Sequence, residues 1–271
     1  MLLHFTKSME ALSSITSNGF LYLHNETGVL GPAARDAFGI DAADTQSSGM
    51  ICFTELSESE ISGHQDKYGK FGAGISKAWL VANGAGKVNY VQIGGPIYTS
   101  FVERLKSLAP KTLYGISTQE YLANPDTRFN GTQALTSPKW ASVVGASEEF
   151  VSLLESLEWT QIDRDAAERE WRIRNPKPYA FKGRPSRQEA VALLVNCILD
   201  PNIPDQVEGV MLYTINGKHQ LMCPGKSSLA LRLPAEQIQA LFCPHDHRPV
   251  VDTALGEAGA NHIRVVASTG V

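Results

Sequence analysis

Hydrophobic residues along the chain occur mainly in short compact runs, which are separated by polar and glycine-rich stretches. Six of these runs are rich in β-prone residues and predict strands. They lie at residues 2–6, 50–54, 88–93, 169–173, 209–213 and 240–243. Helical signals alternate with them, but without the regular spacing of βαβ units. The pattern therefore predicts an α+β fold, organised as a single domain over residues 1–271.

Four helices are predicted from their start and stop signals, one of which begins at Ser147, where acidic residues in the first turn precede hydrophobic residues at helical spacing. Hydrophobic residues recur at helical spacing from Met9 to Ile15, and Gly19 follows as a stop signal. Residues 100–103 and 186–189 each match the capping box, in which a Ser hydroxyl and a Glu carboxylate satisfy free backbone N–H groups. These two patterns predict that a helix begins at each of the two serines.

Two stretches of the chain show neither strand nor helix periodicity. Residues 24–48 are rich in Gly, Ala and Asp, and residues 111–146 are rich in Gly, Ser, Thr, Asn and Pro. Both are predicted to be loop insertions, and loops of this length are uncommon without a function.

Composition is that of an ordinary globular protein. Hydrophobic residues make up 43% and charged residues 19%, which is enough apolar material for a core and too little charge for disorder. The net charge of −4 argues against a strongly basic nucleic-acid binder. The cysteines are scattered, no apolar run reaches the ~20 residues that a bilayer requires, and no signal-peptide pattern begins the chain. These features predict a cytoplasmic protein without membrane association.

One short segment contains three side chains of metal-binding type, Cys243, His245 and His247. A structural zinc site takes four ligands, usually as two separated pairs, and the fourth would have to come from elsewhere, such as Cys223. The sequence therefore predicts a polar turn at this position and no metal site.

Three other segments suggest a ligand site. His4 and Thr6 point to one side of the predicted first strand, because alternate residues of a strand share a face. Residues 64–74 combine aromatic side chains with glycines that allow close backbone approach, as a flat ligand requires. Glu168 and Glu170 share a face of a later strand. Each segment alone also fits a structural role: an idle histidine, a plain turn or a solvated strand edge.

Together these segments resemble the diphtheria-toxin-like ADP-ribosyltransferase superfamily, in its His-Tyr-Glu branch. More closely, the chain looks like the bacterial AbiGi-type abortive-infection family. The runs that carry this resemblance are His4 to Thr6, Met50 to Leu56, Tyr68 to Trp79, Glu168 to Arg172 and Leu231 to Cys243. The resemblance implies an ADP-ribosyltransferase-like, mixed and split β-sheet core with flanking helices. It also implies that NAD is the substrate.

Roles for individual residues follow from the resemblance. It implies that His4 bonds a ribose hydroxyl of NAD, that Thr6 helps to seat the ligand and that an aromatic ring stacks on nicotinamide. Tyr68 is the first candidate for that ring, and Phe53 and Phe71 are the alternatives.

The resemblance also implies a catalytic carboxylate, for which Glu170 is the first candidate and Glu168 the second. This carboxylate would bond the 2′-hydroxyl of the nicotinamide ribose and stabilise the oxocarbenium-like charge that develops as the glycosidic bond breaks. A different role for Glu168 is to orient the acceptor nucleophile. A site of this kind requires that His4 and Glu170 meet across one cofactor cleft.

Basic residues surround the predicted carboxylate. Between positions 164 and 187, eight basic side chains stand against three acidic ones. The basic residues are Arg164, Arg169, Arg172, Arg174, Lys177, Lys182, Arg184 and Arg187. A solvated strand and loop would explain them. A binding site for the NAD pyrophosphate, with Arg172 among its residues, would also explain these basic residues, and so would a binding site for a nucleic-acid acceptor.

Three functions remain open from the sequence. The first is an NAD-dependent ADP-ribosyltransferase toxin of anti-phage defence, restrained by an antitoxin, that modifies a macromolecule; RNA or another nucleic acid is slightly favoured over protein. The second is a non-catalytic defence protein with the same fold that binds a nucleotide, a nucleic acid or a partner protein. The third is an NAD glycohydrolase, in which water is the acceptor.

Overall fold

The computed structural model describes most of the chain outside its predicted insertions. The described residues are 1–23, 33, 36–37, 49–108, 112–113, 116–117, 157–160, 169–175, 179–182, 185–215 and 219–268. The strands are β1 (Leu2–Thr6), β2 (Phe20–Leu21), β3 (Met50–Thr54), β4 (Phe71–Ile75), β5 (Gly86–Lys87), β6 (Asn89–Gln92), β7 (Thr112–Leu113), β8 (Ile116–Ser117), β9 (Leu157–Thr160), β10 (Glu170–Arg174), β11 (Ala180–Lys182), β12 (Met211–Ile215), β13 (His219–Cys223), β14 (Ala230–Leu231), β15 (Ile238–Pro244) and β16 (Arg264–Ser268). The α-helices are α1 (Met9–Asn18), α2 (Ile61–Tyr68), α3 (Lys77–Ala82), α4 (Pro96–Leu108), α5 (Arg187–Leu199) and α6 (Arg248–Glu257).

A seven-stranded sheet forms the centre of the fold, in the order β16-β15-β4-β1-β3-β10-β5. Neighbouring strands are antiparallel except β15 and β16, which are parallel. A smaller sheet has the order β11-β13-β12. A large, mostly antiparallel sheet with several helices agrees with the α+β prediction. All six predicted strands are confirmed, with ends that shift by at most two residues.

Side chains on both faces of the central sheet are buried. Leu2 belongs to one face and shares a hydrophobic cluster with Leu12 of α1. Leu3 belongs to the other face and shares a second cluster with Phe242 of β15 and Ile61 of α2. Because successive residues of β1 serve different clusters, a shift of the strand register by one residue would exchange their surroundings.

Helix α1 and the following strand form as their residues predict. Gly19 ends α1 at a φ of 87°, in the region that favours glycine. A Cβ atom at Gly19 would lie 2.3 Å from the carbonyl oxygen of Leu231 on β14. The glycine therefore ends the helix and also permits a close approach between two chain segments.

One of the two predicted capping boxes is present. At α5, the Ser186 hydroxyl accepts from the backbone N–H of Glu189 at 3.3 Å, and the Glu189 carboxylate accepts from the backbone N–H of Ser186 at 2.8 Å. The helix start predicted at Ser100 is wrong, because α4 already begins at Pro96. Proline is well suited to the first turn of a helix, where its missing N–H costs nothing. The helix start predicted at Ser147 lies outside the described residues.

The two predicted insertions, 24–48 and 111–146, lie almost wholly outside the described residues. Within them the structure describes helical residues at 33 and 36–37, and the short antiparallel pair of β7 with β8. In the part of the chain that is described, no helix combines the length and the apolar character that crossing a membrane requires.

Candidate functional site

Glu170 is held by two neighbours near the edge of the central sheet. Arg172 donates from Nε to Glu170 Oε1 at 2.8 Å and from Nη2 to Glu170 Oε2 at 3.1 Å. The Tyr90 hydroxyl of β6 donates to Oε2 at 3.2 Å. The side chains of Glu170 and Arg172 are only 15% and 8% exposed. Both carboxylate oxygens are therefore engaged in a largely buried, bidentate ion pair.

Cys52 of β3 lies on the same face as this ion pair, because it is the cross-strand partner of Arg172. Cys52 as a whole residue is exposed to solvent. The surrounding protein, and after it the charge of Glu170, raise the pKa of Cys52 to about 12. The protonated thiol is a poor nucleophile, so Cys52 is not suited to covalent catalysis at neutral pH.

His4 lies between two strands and is half-buried. Its Nδ1 is 2.8 Å from the backbone carbonyl oxygen of Cys52. A carbonyl only accepts, so Nδ1 carries the proton of this hydrogen bond. The ring also makes edge contacts with Phe20 and Phe53, at centroid distances of 5.1 and 5.8 Å. Burial lowers the pKa of His4, while the Cys52 carbonyl opposes that change. The neutral ring thus keeps a lone pair on Nε2 that can accept a hydrogen bond.

The strand register places His4 and Glu170 on opposite faces of the central sheet. Thr54 of β3 is the partner of Leu3 on one side and of Glu170 on the other. Cross-strand partners point the same way, so Glu170 lies on the face of Leu3. His4 follows Leu3 and points to the other face, where it meets Phe53. The expectation that His4 and Glu170 meet across one cleft is therefore wrong.

The other predicted site residues divide between the same two faces. Thr6 and its cross-strand partner Phe71 lie on the face of His4, as does Phe53. Phe53 is 2% exposed and Phe71 8%, so both rings belong to the core. Tyr68 packs against the cluster of the opposite face and stacks on His64 at 4.4 Å.

Glu168, the second candidate carboxylate, lies outside the described residues, as do Arg164, Lys177 and Arg184 of the basic group. Two of the described basic residues have acidic partners. Arg172 pairs with Glu170, and Arg169 Nη2 lies 2.6 Å from Glu60 Oε1. Part of the local excess of positive charge is thus neutralised by Glu60, a residue distant in sequence.

A polar cluster that the sequence analysis missed joins β3, α3 and β10. Lys77 Nζ lies 2.6 Å from Glu55 Oε1, and Trp171 Nε1 donates to Glu55 Oε2 at 3.0 Å. Lys77 also lies over the Trp171 ring, 4.5 Å from its centroid. The Lys77 ammonium is the main reason that the pKa of Glu55 is lowered. The three residues are far apart in sequence, and no local motif connects them.

The segment with Cys243, His245 and His247 forms the end of β15 and a short helical turn. Cys243 is fully buried. His247 Nδ1 lies 3.0 Å from Asp246 Oδ1, and the ring makes an edge contact with Phe71. Across the described ranges, no three or more His, Cys, Asp or Glu side chains are grouped so that they could hold a metal ion.

Comparison with known proteins identifies one family. The model of a family described as "Putative abortive phage resistance protein AbiGi, antitoxin" matches residues 42–179, just over half of the 271 residues. No curated protein and no solved structure matches the chain. The matched range contains Cys52, Tyr90, Glu170 and Arg172, whereas His4 precedes it. The description names an antitoxin, whereas the resemblance drawn from the sequence implied a toxin. The chain belongs to the AbiGi family of abortive phage resistance proteins, and its role is in anti-phage abortive infection.

Proposed function

We propose that this chain is the antitoxin of an abortive-infection toxin–antitoxin pair and that it acts by binding its partner toxin protein, without catalysis of its own. The description of the family as an antitoxin supports this proposal. It also corresponds to the non-catalytic alternative that the sequence left open. The toxin is then the cognate protein that the antitoxin neutralises.

One structural observation carries the proposal. Both oxygens of the Glu170 carboxylate already accept hydrogen bonds from Arg172 and Tyr90, on the face of the sheet opposite His4. A transferase carboxylate has to bond a ribose hydroxyl and stabilise charge that develops in the transition state. Glu170 would first have to lose its buried ion pair. A structural role for the Glu170–Arg172 ion pair is compatible with a protein that acts by binding its partner and not by catalysis.

An NAD-dependent ADP-ribosyltransferase is the second candidate, and the environment of His4 favours it. The neutral imidazole donates from Nδ1 to the Cys52 carbonyl, which leaves Nε2 to accept a hydrogen bond from a ligand hydroxyl. The resemblance implies this role for His4, with Thr6 beside it on the same face. Under this candidate, the carboxylate is supplied by Glu168, which lies outside the described residues, and a nucleic acid or a protein accepts ADP-ribose.

Labelled NAD distinguishes the candidates. The purified full chain is incubated with adenine-labelled NAD and with separate pools of RNA, DNA and lysate protein. An antitoxin that acts only by binding leaves the label in intact NAD in every pool. Label on a macromolecule would overturn the proposal in favour of the transferase. Label in free ADP-ribose would overturn it in favour of the glycohydrolase.

A further inference from the structure

Strand β12 is an outer strand of the smaller sheet, which has the order β11-β13-β12. Its five residues, Met211–Ile215, pair with β13 on one side, and within the described ranges no strand pairs with its other side. Exposed strand edges are normally protected by charged residues, proline or a bulge. The β12 sequence, Met-Leu-Tyr-Thr-Ile, contains no charged residue and no proline, and its register with β13 is continuous. β12 is therefore an unprotected edge strand, of the kind that can pair with another chain.

Hydrophobic side chains at β12 are exposed on both faces of the sheet. Met211 and Leu212 are 41% and 53% exposed, and neighbouring residues of a strand point to opposite faces. Val210, directly before the strand, is also exposed. By contrast, β16 at the edge of the central sheet packs Val265 and Val266 against the two hydrophobic clusters. The β12 edge thus offers apolar surface that burial against a partner would stabilise.

The chain segment that leads into β12 is held in place by its neighbours. The backbone N–H of Val207 donates to the Pro224 carbonyl at 2.9 Å, and that of Ser227 donates to the Asp205 carbonyl at 3.0 Å. A Cβ atom at Gly225 would lie 2.6 Å from the Asp205 carbonyl oxygen, so the two segments are closely packed. An edge that is already fixed loses little conformational entropy when a partner binds.

Two acidic side chains lie next to β12. Glu208 precedes the strand by three positions and is exposed. Asp200 lies close enough to Tyr213 of β12 for its charge to contribute, after burial and two neighbouring cysteines, to the raised pKa of that tyrosine. A second copy of the chain would add its own Asp200 and Glu208 to the same edge, and the net charge of −4 also opposes self-association. Charge complementarity therefore favours a basic partner over a second copy.

We propose that β12 binds an extended segment of the toxin as an additional strand, and that this segment combines apolar side chains with Lys or Arg. This inference rests on the proposed antitoxin function, which supplies the partner protein. Backbone hydrogen bonds to β12 provide affinity, and contacts with Met211 and Leu212 select apolar residues on the two faces. The basic residues of the segment pair with Asp200 and Glu208.

Two short synthetic peptides test the proposal, one alternating valine with lysine and the other alternating valine with glutamate. Fluorescence anisotropy of the labelled peptides measures their binding to the purified full chain. We expect the lysine peptide to bind at least about tenfold more tightly than the glutamate peptide. It should also slow amide exchange at alternate residues of β12 and leave β11, the opposite outer strand, unchanged. Absence of binding, or equal binding of both peptides, would overturn the proposal.

Two variants with the same change in net charge show where the peptide binds. Leu212→Lys places a positive charge on the β12 edge and should weaken binding of the lysine peptide by at least about tenfold. Ile97→Lys is the matched control, because Ile97 is 72% exposed on α4, and it should leave binding unchanged. Equal effects of the two variants would indicate general attraction to an acidic chain and overturn the proposal.

Glu208→Gln tests the charge complementarity without altering β12 itself. Glu208 is exposed, so the variant should fold as judged by circular dichroism even if Leu212→Lys does not. Binding of the lysine peptide should weaken by about threefold, because one of the two acidic side chains is lost. Unchanged binding of both peptides by Glu208→Gln would contradict the proposed basic character of the partner.

Two further measurements separate the alternatives. Sedimentation velocity of the unaltered chain should show a monomer, and a dimer that Leu212→Lys dissociates would overturn the proposal in favour of a second copy. The labelled-NAD experiment separates this inference from the proposed function. Intact NAD without peptide binding would overturn strand addition alone. Consumption of NAD by a chain that still binds the lysine peptide would overturn the antitoxin function, and with it the toxin as the occupant of the edge.

Discussion

The guanidinium of Arg172 holds both carboxylate oxygens of Glu170, at 2.8 and 3.1 Å, from a position two residues further along the same strand. Alternate residues of a strand share a face, so the two side chains lie next to each other on the sheet. Their exposure of 8% and 15% means that each charge depends on the other for stabilisation. The pair is therefore a structural feature of β10.

Removal of one partner of this pair should destabilise the fold strongly. Glu170→Gln leaves the buried Arg172 guanidinium without its counter-charge, and we expect the free energy of unfolding to fall by about 3 kcal/mol. Equilibrium unfolding in urea measures this change. The double variant Glu170→Leu with Arg172→Met removes both charges and should cost less than Glu170→Gln alone.

Glu103→Gln is the matched control for Glu170→Gln. Glu103 pairs with Lys106 at 2.8 Å on an exposed helix surface, with side-chain exposures of 64% and 44%. Its replacement should change the free energy of unfolding by less than about 0.5 kcal/mol. Similar losses for Glu103→Gln and Glu170→Gln would show that burial does not strengthen the Glu170 pair.

The Cys52 thiol should react slowly, because burial and the charge of Glu170 keep it protonated. With its pKa at about 12, the thiolate fraction at neutral pH is about a thousandfold lower than that of an ordinary thiol of pKa ~8.5. Alkylation by iodoacetamide at pH 7.5, followed by mass spectrometry, should therefore be slower by at least about a hundredfold than for the same chain in urea.

The charge of Glu170 is one cause of the raised pKa of Cys52, after burial. Glu170→Gln should consequently increase the alkylation rate of Cys52, provided that the variant is folded by circular dichroism. Rapid alkylation of the unaltered folded chain would contradict the raised pKa.

Replacement of Gly19 should be much more harmful than replacement of another glycine with the same backbone conformation. Gly19 and Gly84 have φ values of 87° and 89°. A Cβ atom at Gly84 would have no neighbouring atom within 4 Å. Gly84→Ala should therefore lower the free energy of unfolding by about 1 kcal/mol, and only because alanine disfavours a positive φ. Alanine at Gly19 would also place Cβ 2.3 Å from the Leu231 carbonyl oxygen, and should cost about 3 kcal/mol. Thermal unfolding of both variants measures the difference, and equal costs would show that β14 moves away freely.

Acidification should change the environment of the Trp171 indole through Glu55. Lys77 lowers the pKa of Glu55 from its ordinary value of 4.5, so the stabilising contacts of this carboxylate are present above pH ~4.5. They are lost as pH falls through the lowered pKa, and the hydrogen bond from Trp171 Nε1 is lost with them. Tryptophan emission should therefore change below pH ~4.5, while far-ultraviolet circular dichroism is still constant.

Glu55→Gln should remove that change in emission, because the amide does not titrate. Glu60→Gln serves as its control, since the Glu60 carboxylate pairs with Arg169 and has no recorded bond to an indole. If the change in tryptophan emission persists in Glu55→Gln, another carboxylate is its cause.

Local patterns were sufficient for much of the fold. Strand β1 and helix α5 have the predicted starts because hydrophobic alternation and the Ser186–Glu189 capping box act over a few residues. The predicted helix start at Ser100 was wrong because α4 begins at Pro96, four residues earlier. Ser100 therefore lies inside the helix and cannot cap its N-terminus. The Glu55–Lys77–Trp171 cluster was missed because contacts that span 22 and 116 residues leave no local signal.

The amino-acid sequence alone was sufficient to predict six of the strands and helices α1 and α5, and to show that His4 and Thr6 share a face as alternate residues of one strand. Only the tertiary structure decided that His4 and Glu170 point away from each other. Their relative orientation depends on β3 lying between β1 and β10 and on which of its residues pairs with each neighbour. A shift of one residue in either register would reverse the result. Core packing across the whole sheet selects that register, and neither strand by itself contains the information.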